Sequence, residues 1–119
     1  MEWKLDKKRP VCPQICEQLC LNIARGDFKP EERLPSVREI AMSAGVNPNT
    51  VQRSFEELEQ KEILYSVRGS GWYVTEDISK AKEILSKLQM EKTAAYFEEM
   101  KLLGLEPAEI KKYVEEWNV

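Results

Sequence analysis

Apolar residues recur at helical spacing in successive stretches of the first half of the chain. Ile15, Leu19 and Ile23 mark the first, after Pro10 and Pro13, and Gly26 is placed to take the left-handed position past its end. Asp27 to Leu34 reads as a loop around Pro30 that ends in a very short strand. A second helix opens at Ser36-Val37-Arg38-Glu39. There a serine hydroxyl can accept from the amide three residues on, and the glutamate can reach back. Val37, Ile40, Ala41 and Ala44 supply its apolar side, and Gly45-Val46 ends it after about two turns. Asn47 then offers a capping side chain and Pro48 suits a first helical position. This predicts a third helix over 48–61 with Val51, Phe55 and Leu58 inward.

Two β-rich runs follow, Ile63–Val67 and Trp72–Val74, separated by the hairpin-type connection Arg68-Gly69-Ser70-Gly71. From Ile78 a long helical pattern extends to Leu103. Gly104 ends it, Pro107 opens another helix, and Ile110, Val114 and Trp117 line one face of that last segment. The expected fold is mainly α (α+β): a winged helix-turn-helix head over residues 1–76 and a two-helix dimerisation tail over 77–119.

Composition narrows the chemistry. In 119 residues, 42% are hydrophobic and 33% charged, enough for a buried core and a solvated surface. The first residues lack the apolar stretch of a secretory signal, and no apolar run is long enough for a membrane span. Three cysteines, Cys12, Cys16 and Cys20, share one short segment, which fits a reducing cytoplasm better than a disulfide framework. Histidine is absent, which removes the commonest general base and metal ligand. There is also no nucleophile-elbow pattern and no phosphate-cradling glycine loop, so an enzyme is not expected. The net charge of −3 sits wholly in the tail: residues 1–75 carry eleven basic and eleven acidic side chains, residues 76–119 seven and ten.

The informative constellation is the pair of short helices around Gly45. A helix-turn-helix needs a small residue in the bend and polar side chains at the start of the second helix. Here those are Asn49, Thr50, Gln52 and Arg53, whose groups can meet base edges in a major groove. The same helix start offers amides and a dipole end to a phosphate. The glycine-bearing hairpin is then a wing, with Arg68 placed to enter a minor groove or grip the backbone.

The strings Leu34-Pro35-Ser36-Val37-Arg38-Glu39-Ile40-Ala41, Gly45-Val46-Asn47-Pro48-Asn49-Thr50-Val51, Glu57-Leu58-Glu59 and Gly69-Ser70-Gly71-Trp72-Tyr73-Val74 occur in that order. With the Pro10…Gln14-Ile15 and Ile23-Ala24-Arg25-Gly26 segments, they resemble the GntR family of transcriptional regulators over residues 10–75. The Asn47-to-Val51 string and short helical tail resemble its YtrA-type branch. The roughly 45 residues after the head are too few for the large effector domains of other branches. The resemblance implies a DNA contact at Arg38, contact positions at Asn49 and Thr50 with Gln52 and Arg53 beside them, and a wing tip at Gly69. Ser36, Asn47, Arg68 and Ser70 complete the expected DNA-binding set. Two departures stand out: Pro48 replaces an arginine common in the family, and Cys12 replaces an aromatic.

The expected partners are a double-stranded DNA operator and a second copy of the chain, with no cofactor and no metal. The expected dimer interface comprises Ile84, Leu85, Leu88, Phe97, Leu102, Leu103, Ile110, Val114 and Trp117. Repression is the outcome the resemblance implies; an effector, if one exists, is unidentified. The competing reading is a winged-helix protein-interaction module without direct DNA binding. The cysteines sit at i, i+4 and i+8 on one helix stripe, which reads first as packing by small hydrophobes and second as a soft-metal or redox sensor.

Overall fold

The computed structural model describes residues 2–117. Its elements run α1 (Val11–Arg25), α2 (Val37–Ala44), α3 (Pro48–Gln60), β1 (Leu64–Val67), β2 (Gly71–Val74), α4 (Ser79–Leu102) and α5 (Pro107–Glu116). Two compact units are present, one reaching Leu85 and the other starting at Ser86. Among the described residues no helix is long and apolar enough to cross a membrane.

Helix α1 begins earlier than its two prolines suggest. Pro10 is the N-cap and Pro13 lies inside the first turn. An amide at that position would have no intrahelical acceptor, so its loss costs the helix nothing. Gln14 secures the chain leading in: its Oε1 accepts from the Asp6 amide at 2.8 Å, and its Nε2 donates to the Pro10 carbonyl at 2.9 Å. Helix α2 has the reciprocal Ser36–Glu39 capping box that its sequence announces, and closes on Gly45 at φ 69° and ψ 40°.

The apolar stripes of the three helices meet in one core. Ile15, Leu19 and Ile23 of α1, Ile40 and Ala41 of α2, and Val51, Phe55 and Leu58 of α3 are all buried there, with Leu34, Ile63, Leu64 and Val74. Phe55 meets Trp72 edge-on, with ring centroids 5.4 Å apart, a favourable arrangement for two aromatic quadrupoles. This links α3 to the hairpin.

Strands β1 and β2 pair antiparallel from Leu64↔Val74 to Val67↔Gly71, leaving Arg68, Gly69 and Ser70 as the connection. Tyr65 and Tyr73 stack across the pair at 5.5 Å. The expected short strand before α2 is present as an Arg33↔Tyr73 bridge, flanked by Leu34 N to Trp72 O at 2.8 Å and Val74 N to Glu32 O at 3.0 Å. Gly71, at φ 130°, lies against this segment, and a Cβ there would stand 3.3 Å from the Arg33 Nε. Glycine avoids both the backbone strain and that approach.

The first unit extends past the expected boundary at residue 76. Ala81 is buried in its core, and Ile78, Ile84 and Leu85 pack against it. Lys80 Nζ pairs with Glu62 Oε2 at 2.5 Å, tying the start of α4 to the segment after α3. Ile84 and Leu85, expected at a dimer interface, therefore spend much of their apolar surface on the head.

The second unit pairs the later part of α4 with α5. Helix α5 starts at Pro107 behind a Glu106–Glu109 capping box. Tyr96 and Phe97 meet edge-on at 6.2 Å. Ile110, expected at the dimer interface, is already fully buried within this chain. Leu88 and Phe97 are half-buried, while Leu102, Leu103, Val114 and Trp117 are exposed.

Phe55 joins α3, the hairpin and the core. Phe55→Ala is expected to lower the head's unfolding free energy by about 3–5 kcal/mol. Urea denaturation followed by tryptophan fluorescence reads this; a loss below about 1 kcal/mol would show that the ring is not the keystone described.

Candidate nucleic-acid interface

The α2–turn–α3 unit is built from backbone upward. Gly45 takes the left-handed conformation that lets the chain leave α2 sharply, which a β-carbon would strain. The Gly45 carbonyl accepts from Lys7 Nζ at 3.0 Å, so the turn is held by a residue far away in the chain. Asn47 then caps α3, its side chain accepting from the Asn49 amide at 2.8 Å, and Pro48 follows at the first helical position.

Helix α3 is divided cleanly by face. Val51, Ser54, Phe55 and Leu58 are buried, whereas Asn49 and Arg53 are exposed and Thr50 and Gln52 half-exposed. Arg38, in the first turn of α2, is also exposed. It lines a shallow groove with Met42, Gly45, Val46, Asn47 and Pro48. Thus Arg38 and Asn47 share one surface concavity at the helix-turn-helix bend, with Asn49 opening the exposed side of α3. Met42, 85% exposed at this surface, had no signal in the sequence beyond its place outside the apolar stripe.

Several expected groups are already engaged within the chain. Ser36 Oγ accepts from the Glu39 amide at 3.1 Å, leaving its hydrogen to donate outward. The amides opening α3 are not available to a phosphate as the sequence suggested. The Asn49 amide is taken by the Asn47 side chain and the Thr50 amide donates to the Asn47 carbonyl at 3.0 Å. Gln52 Nε2 donates to Glu56 Oε1 at 3.0 Å, one turn along the same face. That leaves Gln52 its Oε1 and one amide hydrogen for a base contact, with its side-chain direction biased toward Glu56. Arg53 has no such partner among the described residues.

The hairpin carries Arg68 and Gly69 exposed at its tip. The Ser70 hydroxyl is bonded to the Tyr73 hydroxyl, so Ser70 braces the turn from inside instead of reaching outward. Sequence reasoning assigned Glu59 no role beyond its place in the Glu57-Leu58-Glu59 string; its Oε2 accepts from both the Ser66 amide at 3.1 Å and the Ser66 Oγ at 2.8 Å. One carboxylate thereby joins the recognition-type helix to the first strand of the wing. Lys7 was equally unseen, because a contact spanning 38 residues leaves no periodicity to read.

The cysteine stripe is divided. Cys20 lies in the core, and burial pushes its thiol up to about 11. Burial also holds the Cys16 thiol far above its ordinary range, and its hydrogen bond to Glu57 adds to the effect. Both thiols are therefore held in the protonated form.

Residues 13–74 match the family model for bacterial regulatory proteins of the gntR family. The chain is 34% identical over 110 residues to the uncharacterized HTH-type transcriptional regulator YhcF of Bacillus subtilis, covering 92% of this chain and 91% of that protein. It is 38% identical over 81 residues to the HTH-type transcriptional repressor YtrA of the same organism, covering 68% of this chain and 62% of that one. Among solved structures it resembles a GntR family transcriptional regulator from Listeria monocytogenes. The TM-score is 0.84 at 34% identity, covering 96% of this chain and 100% of that one. With the capped α2–Gly45–α3 unit, the outward face of α3 and the β-hairpin wing in place, the chain belongs to the GntR family, in its YtrA-type branch, and is a winged helix-turn-helix transcriptional regulator.

Proposed function

We propose that the chain is a homodimeric repressor that binds a pseudo-palindromic DNA operator through α3 and the hairpin wing. The observation that carries this reading is the division of α3. Its inner face is locked by Val51, Phe55 and Leu58, so that Asn49, Thr50 and Arg53 are presented outward on a rigid support. Asn49 suits adenine, Arg53 suits guanine, and the Thr50 methyl suits thymine. Arg38, with Ser36 beside it, is positioned for phosphate, and Arg68 with Gly69 for the backbone or minor groove. Among the described residues Thr50 and Arg53 keep their side-chain donors unspent, whereas Gln52 shares one with Glu56, which favours the first two as readers.

The dimer reading is supported by the second unit. Leu102 is 87% exposed, Leu103 78% and Trp117 73%, with Val114 and Tyr113 also open to solvent. Tyr96, Met100, Leu103, Leu105, Tyr113, Val114 and Trp117 line one apolar groove there. A contiguous apolar surface of this kind on a small unit is stabilised by burial against another copy. Two heads so joined would meet half-sites about 34 Å apart, one turn of the duplex. Repression then follows from occupancy of DNA that a polymerase requires.

Fragments selected from genomic DNA by the purified chain supply the probe. Arg53→Ala is expected to weaken binding to the selected fragment by about 1–3 kcal/mol in fluorescence anisotropy. Arg38→Ala should weaken all sequences alike and flatten the salt dependence. Wild-type affinity in both variants would overturn the assignment of this face. A chain that binds no DNA at low salt but captures protein partners would instead favour the interaction-module reading.

For the dimer, sedimentation equilibrium of the wild type should give twice the chain mass. The double variant Leu103→Asp, Trp117→Asp should give the monomer, because two buried carboxylates would lack partners. A dimer that survives both charges would place the interface elsewhere.

A further inference from the structure

We propose that Cys12, Cys16 and Glu57 form a binding site for a thiophilic divalent cation of the zinc class, held between α1 and α3. The two cysteines are one helical turn apart, so their sulfurs lie on one face of α1. That face meets α3 at Glu57, and the two sulfurs and a Glu57 carboxylate oxygen all lie within 4.8 Å of one another. The Cys16 thiol donates to Glu57 Oε2 at 3.2 Å. In a tetrahedral zinc site, with bonds of about 2.3 Å to sulfur and 2.0–2.2 Å to oxygen, such donors stand about 3.5–3.8 Å apart. Small side-chain rotations therefore close the set.

The surroundings fit a ligand site better than simple packing. Cys20, which only packs, is surrounded by core. Cys12 and Cys16 instead face polar atoms of α3: Ser54 Oγ is 3.2 Å from Cys12 Sγ, and the Ser54 carbonyl is 3.6 Å from Cys16 Sγ. Ser54 is completely buried, and its one hydroxyl hydrogen, within reach of the Thr50 carbonyl at 2.9 Å as well as of Cys12 Sγ, can turn to a metal-bound sulfur, the outer-shell support that orients such ligands. Burial is graded across the cluster. Cys16 is buried, Cys12 half-buried and Glu57 exposed, so a cation enters from the Glu57 side and keeps a fourth position for water. Direct bonding to the cation must displace the thiol protons, so binding releases protons and strengthens as the pH rises. Sulfur donors select zinc or cadmium over magnesium or calcium.

This site does not depend on the DNA-binding reading, and its test is spectroscopic. The full chain, reduced and stripped of metal with a chelator, is titrated with Cd²⁺. The expected result is a sulfur-to-cadmium charge-transfer absorption that saturates at one equivalent and is competed away by Zn²⁺. Cys12→Ala and Cys16→Ala should each abolish stoichiometric binding. Glu57→Gln should weaken it at least about tenfold, as loss of a direct ligand does. Cys20→Ala should leave the titration unchanged. Should Cys16→Ala unfold by circular dichroism, Cys12→Ala still decides, since its side chain is half-buried. Absence of the band at one equivalent, its persistence in Cys12→Ala, or indifference to Glu57→Gln would each overturn the proposal.

Discussion

The packing of α3 against α1 is the constraint from which the rest of the head follows. Val51, Phe55 and Leu58 leave no solvent on the inner side of α3, and Ile15, Leu19 and Ile23 fill the facing stripe of α1. Burial of each such side chain contributes about 1.5–3 kcal/mol, so the rotation of α3 about its own axis is strongly determined. That rotation decides which polar residues face outward. Once Phe55 is inside, Arg53 and Asn49 must be outside, because a helix turns about 100° per residue. The wing is subordinate to the same contact, since Trp72 packs edge-on against Phe55 and Glu59 holds Ser66.

Polar interactions refine what packing sets. The Ser36–Glu39 box and the Asn47 cap consume donors that helices otherwise leave unpaired, and each cap contributes about 1 kcal/mol. They also thin the list of groups free to meet a ligand. The Asn49 amide, the Gln52 side chain and the Ser70 hydroxyl are each paired inside the chain. The proposed interface therefore draws on fewer side chains than residue type alone suggests, chiefly Arg38, Asn49, Thr50, Arg53 and Arg68. The Cys12–Cys16–Glu57 cluster lies on the same α1–α3 seam, beside Ser54. An ion there would pin the helix that presents the reading face.

The tail follows a different logic from the head. Its helices bury Ile110 but leave Leu102, Leu103 and Trp117 open, a balance that a small two-helix unit cannot improve alone. Ile84 and Leu85 lie on the same long helix yet pack against the head's core, because α4 begins as part of the head and ends as part of the tail. A continuous apolar pattern along one helix says nothing about where its partner changes.

Local chemistry made most elements legible from the sequence alone. The Ser36–Glu39 spacing, Gly45, and the Asn47-Pro48 pair each act within one turn of backbone, so both ends of α2 and the start of α3 could be read directly. So could the hairpin around Arg68-Gly69-Ser70 and the inward set of α3, since periodicity carries both. What needed the tertiary structure were the contacts between residues distant in the chain. These include Lys7 on the Gly45 carbonyl, Glu59 on Ser66, Glu57 beside Cys16, and the first turns of α4 on the head's core. No local preference encodes them. They arise only when packing brings separate segments together, and that is where a cysteine stripe readable as mere core acquired a carboxylate from another helix.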